Sequence, residues 1–547
     1  MASDFHGEFL RELAALDDFL ARRRGPDRFV EPEDPDVRRL MESLAFFSAR
    51  TREAAAAELR GAVHRLAQGL LDDFVHPQPA RALLRALPSP RLTEPALLPR
   101  GTRVRLETLD GDVGQFSTMR ALTIRPLELD RAELQLRGTG VRVLIRLRAH
   151  GPTVHVDEPL SMHIDHLGDY EASSQLFHHL TKHIERVGVV YGDPPSPSEP
   201  APGQACGFSF GGAREGNSVF ADELRSQQRS GTVARIREFF HFPIERLSLE
   251  VELARPARPW RQAWLCVDLD EWPEGQPVNK DMFRLFVVPI ENSFSELAEP
   301  IKCDGTRAYH AIVPWRTEGD VTFHSVLEVQ QELATGMDVI LPGHLATGAD
   351  SWDLEFDDEQ VLPQLHLRLP GAFLDPRMVM VRARWYQPGF AALALGKLEA
   401  TLHSRHVEGV GFRVHGRLTP QRTSPLWGDP RAMLHVLSRR SKRVLSREDI
   451  IMMMSVLGAD SRSHHDVAND LRHVEVVDEP ASPGSGGGVR HVYRVGLADI
   501  GRERRGLVED YLRCVEALLD AWSSNPVAVR VDEPSARKRP QIVRPAS

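Results

Sequence analysis

Two histidine pairs are the first residues whose spacing invites chemistry. His163 and His166 sit three apart, and His179 and His183 sit four apart, spacings that can present two zinc ligands from one element. No glutamate or cysteine completes an HExxH or His-Cys-Cys set around either pair, and a chain with 23 histidines produces such spacings by chance. His406-Val407-Glu408 echoes the HxE half of a zinc deaminase, but the PCxxC half that would cage the metal is missing. Asp268 and Asp270 lie two apart, so on a strand they share a face, yet no further acid is tied to them and no mechanism follows. Gly211-Gly212 and the glycine-rich run 484–488 match neither a phosphate loop nor a dinucleotide fingerprint, and a GxSxG elbow is absent. Arg439, Arg440, Lys442, Arg443 and Arg447 form a basic run that suits a phosphate or an acidic partner, or simply a solvated face. The residues thus name no catalytic, cofactor-binding or metal-ligating site and call for no cofactor, a profile that fits an assembly subunit or an unfamiliar enzyme.

The elements that would carry such chemistry are spread over 547 residues, enough for three or four folding units. A hydrophobic fraction of 41% with 27% charged residues is that of a globular chain with sizeable cores. The net charge of −9 argues against a general nucleic-acid binder. Cys206, Cys266, Cys303 and Cys514 are far apart and form no CxxC pair, which reads as reduced thiols in a cytoplasmic protein. The first 20 residues carry charges throughout and lack a signal-peptide core, and no run of 18 apolar residues offers a membrane span. Contact with a membrane would therefore run through partners, without direct insertion.

Periodicity predicts an α+β chain: a long-helix region at the N-terminus, then several β-rich antiparallel domains with interspersed helices. Residues 1–92 read as a helical, bundle-forming region. Phe5, Phe9, Leu13, Leu16 and Leu20 mark a first helix, and Asp34-Pro35 reads as an N-cap with proline at N1. From there Val37, Leu40, Leu44, Phe47, Leu59, Val63, Leu66, Leu70 and Phe74 form one apolar stripe ending before Pro77. Some 40 helical residues would reach about 60 Å, a rod better used between chains than within one. Residues 93–192 read as a first β-rich domain closed by a helix from about Tyr170 to Val187. Residues 193–216 read as a linker, 217–400 as a second β-rich domain and 401–530 as an α+β region. Ser446-Arg447-Glu448-Asp449 resembles a capping box in that last region, and residues 531–547 read as a disordered tail.

Several segments, read in order, resemble one known family. Asp34-Pro35-Asp36-Val37-Arg38-Arg39-Leu40-Met41-Glu42-Ser43-Leu44-Ala45-Phe46-Phe47-Ser48-Ala49-Arg50 follows an Arg11-Glu12-Leu13 helix; Leu98-Pro99-Arg100-Gly101-Thr102 precedes Phe116-Ser117-Thr118. Glu238-Phe239-Phe240-His241-Phe242-Pro243 and Val288-Pro289-Ile290-Glu291-Asn292-Ser293-Phe294, the latter with Ala298-Glu299-Pro300-Ile301, continue the series. Together they resemble the TssF (ImpG/VasA) family of type VI secretion system baseplates over about residues 8–330. The stretch Arg22 to Glu33 is shorter than is usual in that family, and beyond about residue 400 the likeness rests mainly on a terminal helix.

The resemblance implies a non-enzymatic wedge subunit. It would assemble with a second TssF copy, TssG, TssK and TssE around the VgrG hub, dock on the membrane complex at the cytoplasmic face of the inner membrane, and prime sheath assembly. The Val37–Phe74 stripe is then the candidate partner interface; its alternative is an intrachain hairpin with residues 5–20. Phe240, Pro243, Pro289, Asn292, Phe294, Glu299 and Pro300 are family-like structural positions, read as an ordered core turn or, alternatively, a contact surface. Two other functions stay open: a β-sandwich carbohydrate-active hydrolase, which needs a cleft with two close acids, and a baseplate protein of another contractile injection system.

Overall fold

The structure is a computed structural model. It describes residues 2–22, 35–52, 55, 74, 76–138, 140–153, 158–211, 231–273, 275–315, 320–333, 336–343, 345–355, 364–403, 406–423, 430–439, 442–460, 464–480, 489–498, 504–523 and 525–532. A helix, Ala2–Arg22, opens the chain, and residues 35–52 are helical. Residues 55 and 74 are also helical, but the predicted rod between them lies outside the described residues, as do Leu59, Val63, Leu66 and Leu70. The helical region does not run to residue 92: Arg81–Pro88 is a strand.

That strand belongs to a closed barrel with Val287–Glu291, Val113–Thr118, Arg103–Glu107, Glu399–Leu402 and Val410–Thr419. Alternation puts one side of each strand inside. Ala82 faces Ile290, Leu84 faces both Val288 and Val414, and Val104 faces Phe116. Phe390 closes one mouth, edge-on to Phe116 at 5.7 Å. Glycine at 114 makes room for it, since a Cβ there would lie 2.6 Å from the Phe390 ring.

Next to the barrel, two sheets pack face to face and share its hydrophobic core. One runs Gln204–Ala205, Ile184–Tyr191, Trp260–Leu269, Gly140–Thr153, Leu127–Arg137; the other Gly207–Phe210, Ser248–Glu252, Leu160–Ile164, Phe283–Leu285. The helix before Ile184 is Tyr170–His183, capped by Asp169, and stops four residues short of the expected Val187. The sequence Ile-Glu-Arg-Val-Gly-Val-Val is β-branched and broken by Gly188, which favours a strand. A third unit holds strands Phe294–Leu297, Arg377–Tyr386, Thr322–Leu333, Gly336–Val339 and Ile301–Cys303, with a small sheet of Tyr309–Ala311, Gln364–Arg368 and Ser351–Glu355. A C-terminal unit gathers the helices Thr232–His241, Pro430–Arg439, Arg447–Met454, His465–Asp470 and Arg505–Trp522 around one core. The strands Leu471–Pro480, Val489–Leu497 and Val527–Asp532 form its sheet. The capping box is present: the Ser446 hydroxyl and the Asp449 carboxylate each accept the other residue's backbone N–H.

Two features depart from a linear string of domains. Strands from 81 to 419 close one barrel, and Trp260–Leu269 lies between strands from residues 140–191, so the expected break at 193–216 separates nothing. Within that break, residues 193–203 are an ordered strap. Arg142 donates to the carbonyls of Glu199 and Pro200 at 3.0 and 3.1 Å, and Arg186 donates to those of Pro202 and Gly203 at 3.1 Å each. Proline carbonyls are acceptors with no N–H of their own to satisfy, so a proline-rich segment suits a guanidinium-lined sheet face. Beneath it lies a cluster of Leu144, Trp264 and Cys266.

Four buried histidines make this body acid-sensitive. Burial, reinforced by His415, holds His163 down at about 3, and burial together with Arg81 holds His241 at about 3. Burial lowers His464 to about 4 and puts His324 well below its usual value. Each folded-state pKa is below the unfolded value of about 6.5, so the unfolded chain binds more protons between pH ~4 and ~6.5 and stability falls as pH falls through that window, by about 1.4 kcal/mol per unit for each group. Neither ring nitrogen of His464 has a hydrogen-bond partner among the described residues, and the rings of Tyr170, Phe239 and Phe240 surround it. We expect His464→Phe to leave the melting temperature at pH 7.5 unchanged or higher, and to flatten its decline between pH 6.5 and 4.5 in a calorimetric series.

Candidate assembly interface

The sequence candidates for chemistry do not converge. Asp268 is buried and clamped by Arg142 at 2.6 Å, while Asp270 at the surface binds His183 at 2.8 Å, so the two acids serve separate partners. His179 and His183 stack on each other at 4.1 Å, and His163 lies instead against His415, with ring centroids 6.0 Å apart. No group of three or more metal-binding side chains occurs among the described residues. Of the basic run, three members are spent internally: Arg439 and Lys442 bind Asp449 at 3.0 and 2.6 Å, and Arg447 donates to the Leu471 carbonyl at 2.8 Å; Arg443 is exposed, 3.7 Å from Asp478, and Arg440 lies outside the described residues. The four cysteines are separately buried.

What stands out instead is an incomplete helical face. On the 35–52 helix, Met41, Ala45 and Ala49 fall at i, i+4, i+8 and are buried. Beside them, Ser48 donates to Glu12 at 2.9 Å and Arg52 binds the same carboxylate at 2.7 Å, which ties this helix to Ala2–Arg22 as a hairpin. The neighbouring row is left open: Leu40, Leu44 and Phe47 are 62%, 51% and 67% exposed, and Phe46 is 44% exposed. One helix thus carries two apolar rows, one buried beside the hairpin contacts and one open. Val37 is half-buried between them. Phe74 leaves the candidate set, because it is buried edge-on to Trp522 at 6.5 Å in the C-terminal core.

Residues 76–80 lead into the first barrel strand, and their five successive carbonyls all accept hydrogen bonds. Arg237 takes that of His76 at 2.9 Å, His324 that of Pro77 at 3.0 Å, and the Arg422 amide that of Gln78 at 2.8 Å. His241 takes that of Pro79 at 2.7 Å and the Asn292 amide that of Ala80 at 2.7 Å. These donors come from the C-terminal unit, the third unit and the barrel.

The family-like segment at 288–294 is the joint below that anchor. Pro289, Asn292 and Phe294 are buried, as the core-turn reading expects, whereas Glu299 and Pro300 are exposed. Phe240 is buried against Phe239 and His464, and Pro243 opens a short 3-10 turn. The residue that organises the joint is Glu291, only 1% exposed. Arg81 donates to it at 3.0 Å, Ser293 at 2.8 Å, and Arg384 from the third unit binds its other oxygen. Burial alone would raise its pKa, but Arg384 and Arg81 bring it down to about 2. Asn292 accepts from the Gln387 amide at 2.7 Å and donates to the Gln115 carbonyl at 3.0 Å, which stitches barrel and third unit together. Nothing in their local pattern marks Arg81 or Arg384 as sites; for Glu291 the one signal is a charge placed directly after the apolar run Leu285–Ile290.

A family model described as "Type VI secretion system, TssF" matches residues 20–347. No curated protein matches the chain. One similar solved structure is a chain of the type VI secretion system TssK-TssF-TssG baseplate subcomplex seen by cryo-electron microscopy, 17% identical, with a TM-score of 0.72. It covers 90% of this chain and 96% of its own. Another, from the baseplate complex of the type VI secretion system, is 15% identical with a TM-score of 0.59 and covers 97% of both chains. At these identities the structures show a shared fold.

Glu291→Gln keeps the shape of the joint and removes its charge. Two buried guanidiniums then face a neutral amide, and breaking such a pair costs about 3–5 kcal/mol. Urea titration should show that loss, while Glu299→Gln at the exposed end of the same segment stays within about 0.5 kcal/mol of the parent.

Proposed function

The chain belongs to the TssF family of the type VI secretion system, and from that premise we propose that it is a wedge subunit of the baseplate that binds neighbouring subunits through its N-terminal helical hairpin. The observation that carries the interface is the exposed row Leu40, Leu44 and Phe47 beside a buried row on the same helix. An exposed apolar stripe of this kind marks a surface meant to be covered, and stable interfaces of permanent assemblies bury about 2,000 Å² or more.

The partners follow from the family and from the subcomplex that the similar structure describes: TssG and TssK first, with TssE, a second TssF copy, the VgrG hub and the membrane complex as further contacts. No helix of the described residues is long and apolar enough to cross a membrane. Attachment at the cytoplasmic face of the inner membrane would then run through those partners. A hydrolase reading gains nothing from Asp268 and Asp270, which are engaged by separate partners, Arg142 and His183. The chain's contribution is shape and contact rather than bond-breaking.

Co-expression with its cognate TssG and TssK tests this. In Leu44→Asp/Phe47→Asp, two charges are placed on the open row and the buried row is left intact. The variant should melt within a few degrees of the parent, and its recovery with tagged TssG should fall by about ten-fold or more, the equivalent of 1.4 kcal/mol. A folded double variant that still yields intact complexes would reject the hairpin as interface.

A further inference from the structure

The barrel's outer face carries two arginines in direct opposition. Arg85 and Arg413 are register partners on adjacent antiparallel strands. Like charges placed opposite each other weaken a sheet. Neither residue makes a hydrogen bond or ion pair with any described residue, and the Nε of Arg85 is buried without a partner. Burial lowers the pKa of Arg85 below its usual value, Arg284 and to a lesser degree Arg413 add to that shift, and Asp281 opposes it.

The surrounding acids are already engaged. Arg284 holds Asp281 at 2.7 Å, and His415 holds Asp165 at 3.1 Å. Glu399, the other register neighbour of Arg413, forms no ion pair with it. Elsewhere the pattern is different: Arg81, Arg142, Arg146, Arg377 and Arg384 each have a carboxylate partner at hydrogen-bonding distance. Two residues beyond Arg85 on the same face, Leu87 is 39% exposed, and its register partner is Gly411, so the surface there is open and partly apolar.

We propose that Arg85 and Arg413 form a docking site for an acidic side chain of a partner protein. A carboxylate between them would turn a like-charge pair into a three-member ion network resembling the one at Glu291. The site lies on a barrel face where Arg413 is exposed and Arg85 half-buried. An oxyanion in free solution would meet the two guanidiniums with no walls to exclude water. A protein segment would bring apolar atoms to Leu87 along with its carboxylate. This inference rests on the reading of the chain as an assembly subunit.

The single substitution Arg85→Glu separates docking from folding, because it creates an intrachain pair with Arg413 while destroying the site. We expect its melting temperature to rise. Its affinity for the TssG–TssK partners should fall by about ten-fold or more at about 0.05 M salt, with the gap narrowing towards about 0.5 M. Arg85→Lys/Arg413→Lys should retain most of the binding. Equal affinity of Arg85→Glu and parent would overturn the inference and leave the subunit reading standing, whereas failure of the parent itself to bind would overturn both. Inorganic phosphate at about 10 mM that displaces the partner from the parent, but not from Arg85→Glu, would show a free-oxyanion site instead.

Discussion

One buried carboxylate holds the body of this protein together. Glu291 sits between Arg81 of the first barrel strand and Arg384 of the third unit, with Ser293 filling a remaining acceptor position. Taking three charges out of water costs several kcal/mol per ion, and the mutual attraction offsets this only where geometry and hydrogen bonding are complete. Both oxygens of Glu291 are satisfied: Arg81 and Arg384 approach different ones, and Ser293 binds one of them as well. Apolar residues could have filled the same space with less desolvation. What they could not supply is a direction, since a guanidinium on each side admits one relative placement of barrel and third unit.

The anchor at 76–80 depends on that placement. Its five carbonyls are met by donors from three units, and the last of them, the Asn292 amide, is the residue next to Glu291. A shift of the third unit against the barrel would move Asn292 and His324 apart and strand carbonyls inside the protein. Two of the donors are histidines that burial keeps neutral. Each must carry its proton on Nε2 to donate to a proline carbonyl, so the tautomer is set by the contact. The segment that leads into the first barrel strand is therefore held at a fixed joint by hydrogen bonds to its backbone.

Local signals were legible and long-range ones were not. The helix around Leu40 and Leu44, the capping box at Ser446 and Asp449, the barrel strand with Val410, Phe412 and Val414, and the terminal helix to Trp522 all follow from spacing within a dozen residues. The assignment of those strands to domains failed because a closed barrel recruits strands from 81 to 419, and pairing partners leave no mark on either strand's own pattern. The strap at 193–203 looked like a linker because prolines and serines dominate it; its role comes from guanidiniums on a sheet formed far away in sequence. Phe74 continued the apolar stripe in sequence, yet belongs to a core completed by Trp522. Glu291 was hidden for the same reason: its partners stand 210 and 93 residues away.

Comparison of the cations shows how the molecule divides inside from outside. Arg81, Arg142 and Arg384 are nearly inaccessible and each binds a buried carboxylate, so they belong to the architecture. Arg439, Lys442 and Arg447 looked like a surface patch in sequence, yet they cap helices and tie strands within the C-terminal unit. Positive charge that a fold needs is consumed by that fold. The same reasoning applies to apolar groups: Met41, Ala45 and Ala49 are consumed by the hairpin, and Leu40, Leu44 and Phe47 are not. A rotation of this helix by about 100°, one residue's turn, would exchange the open row for the buried one. The hairpin contacts through Glu12 hold the helix against that rotation and keep the apolar row facing outward.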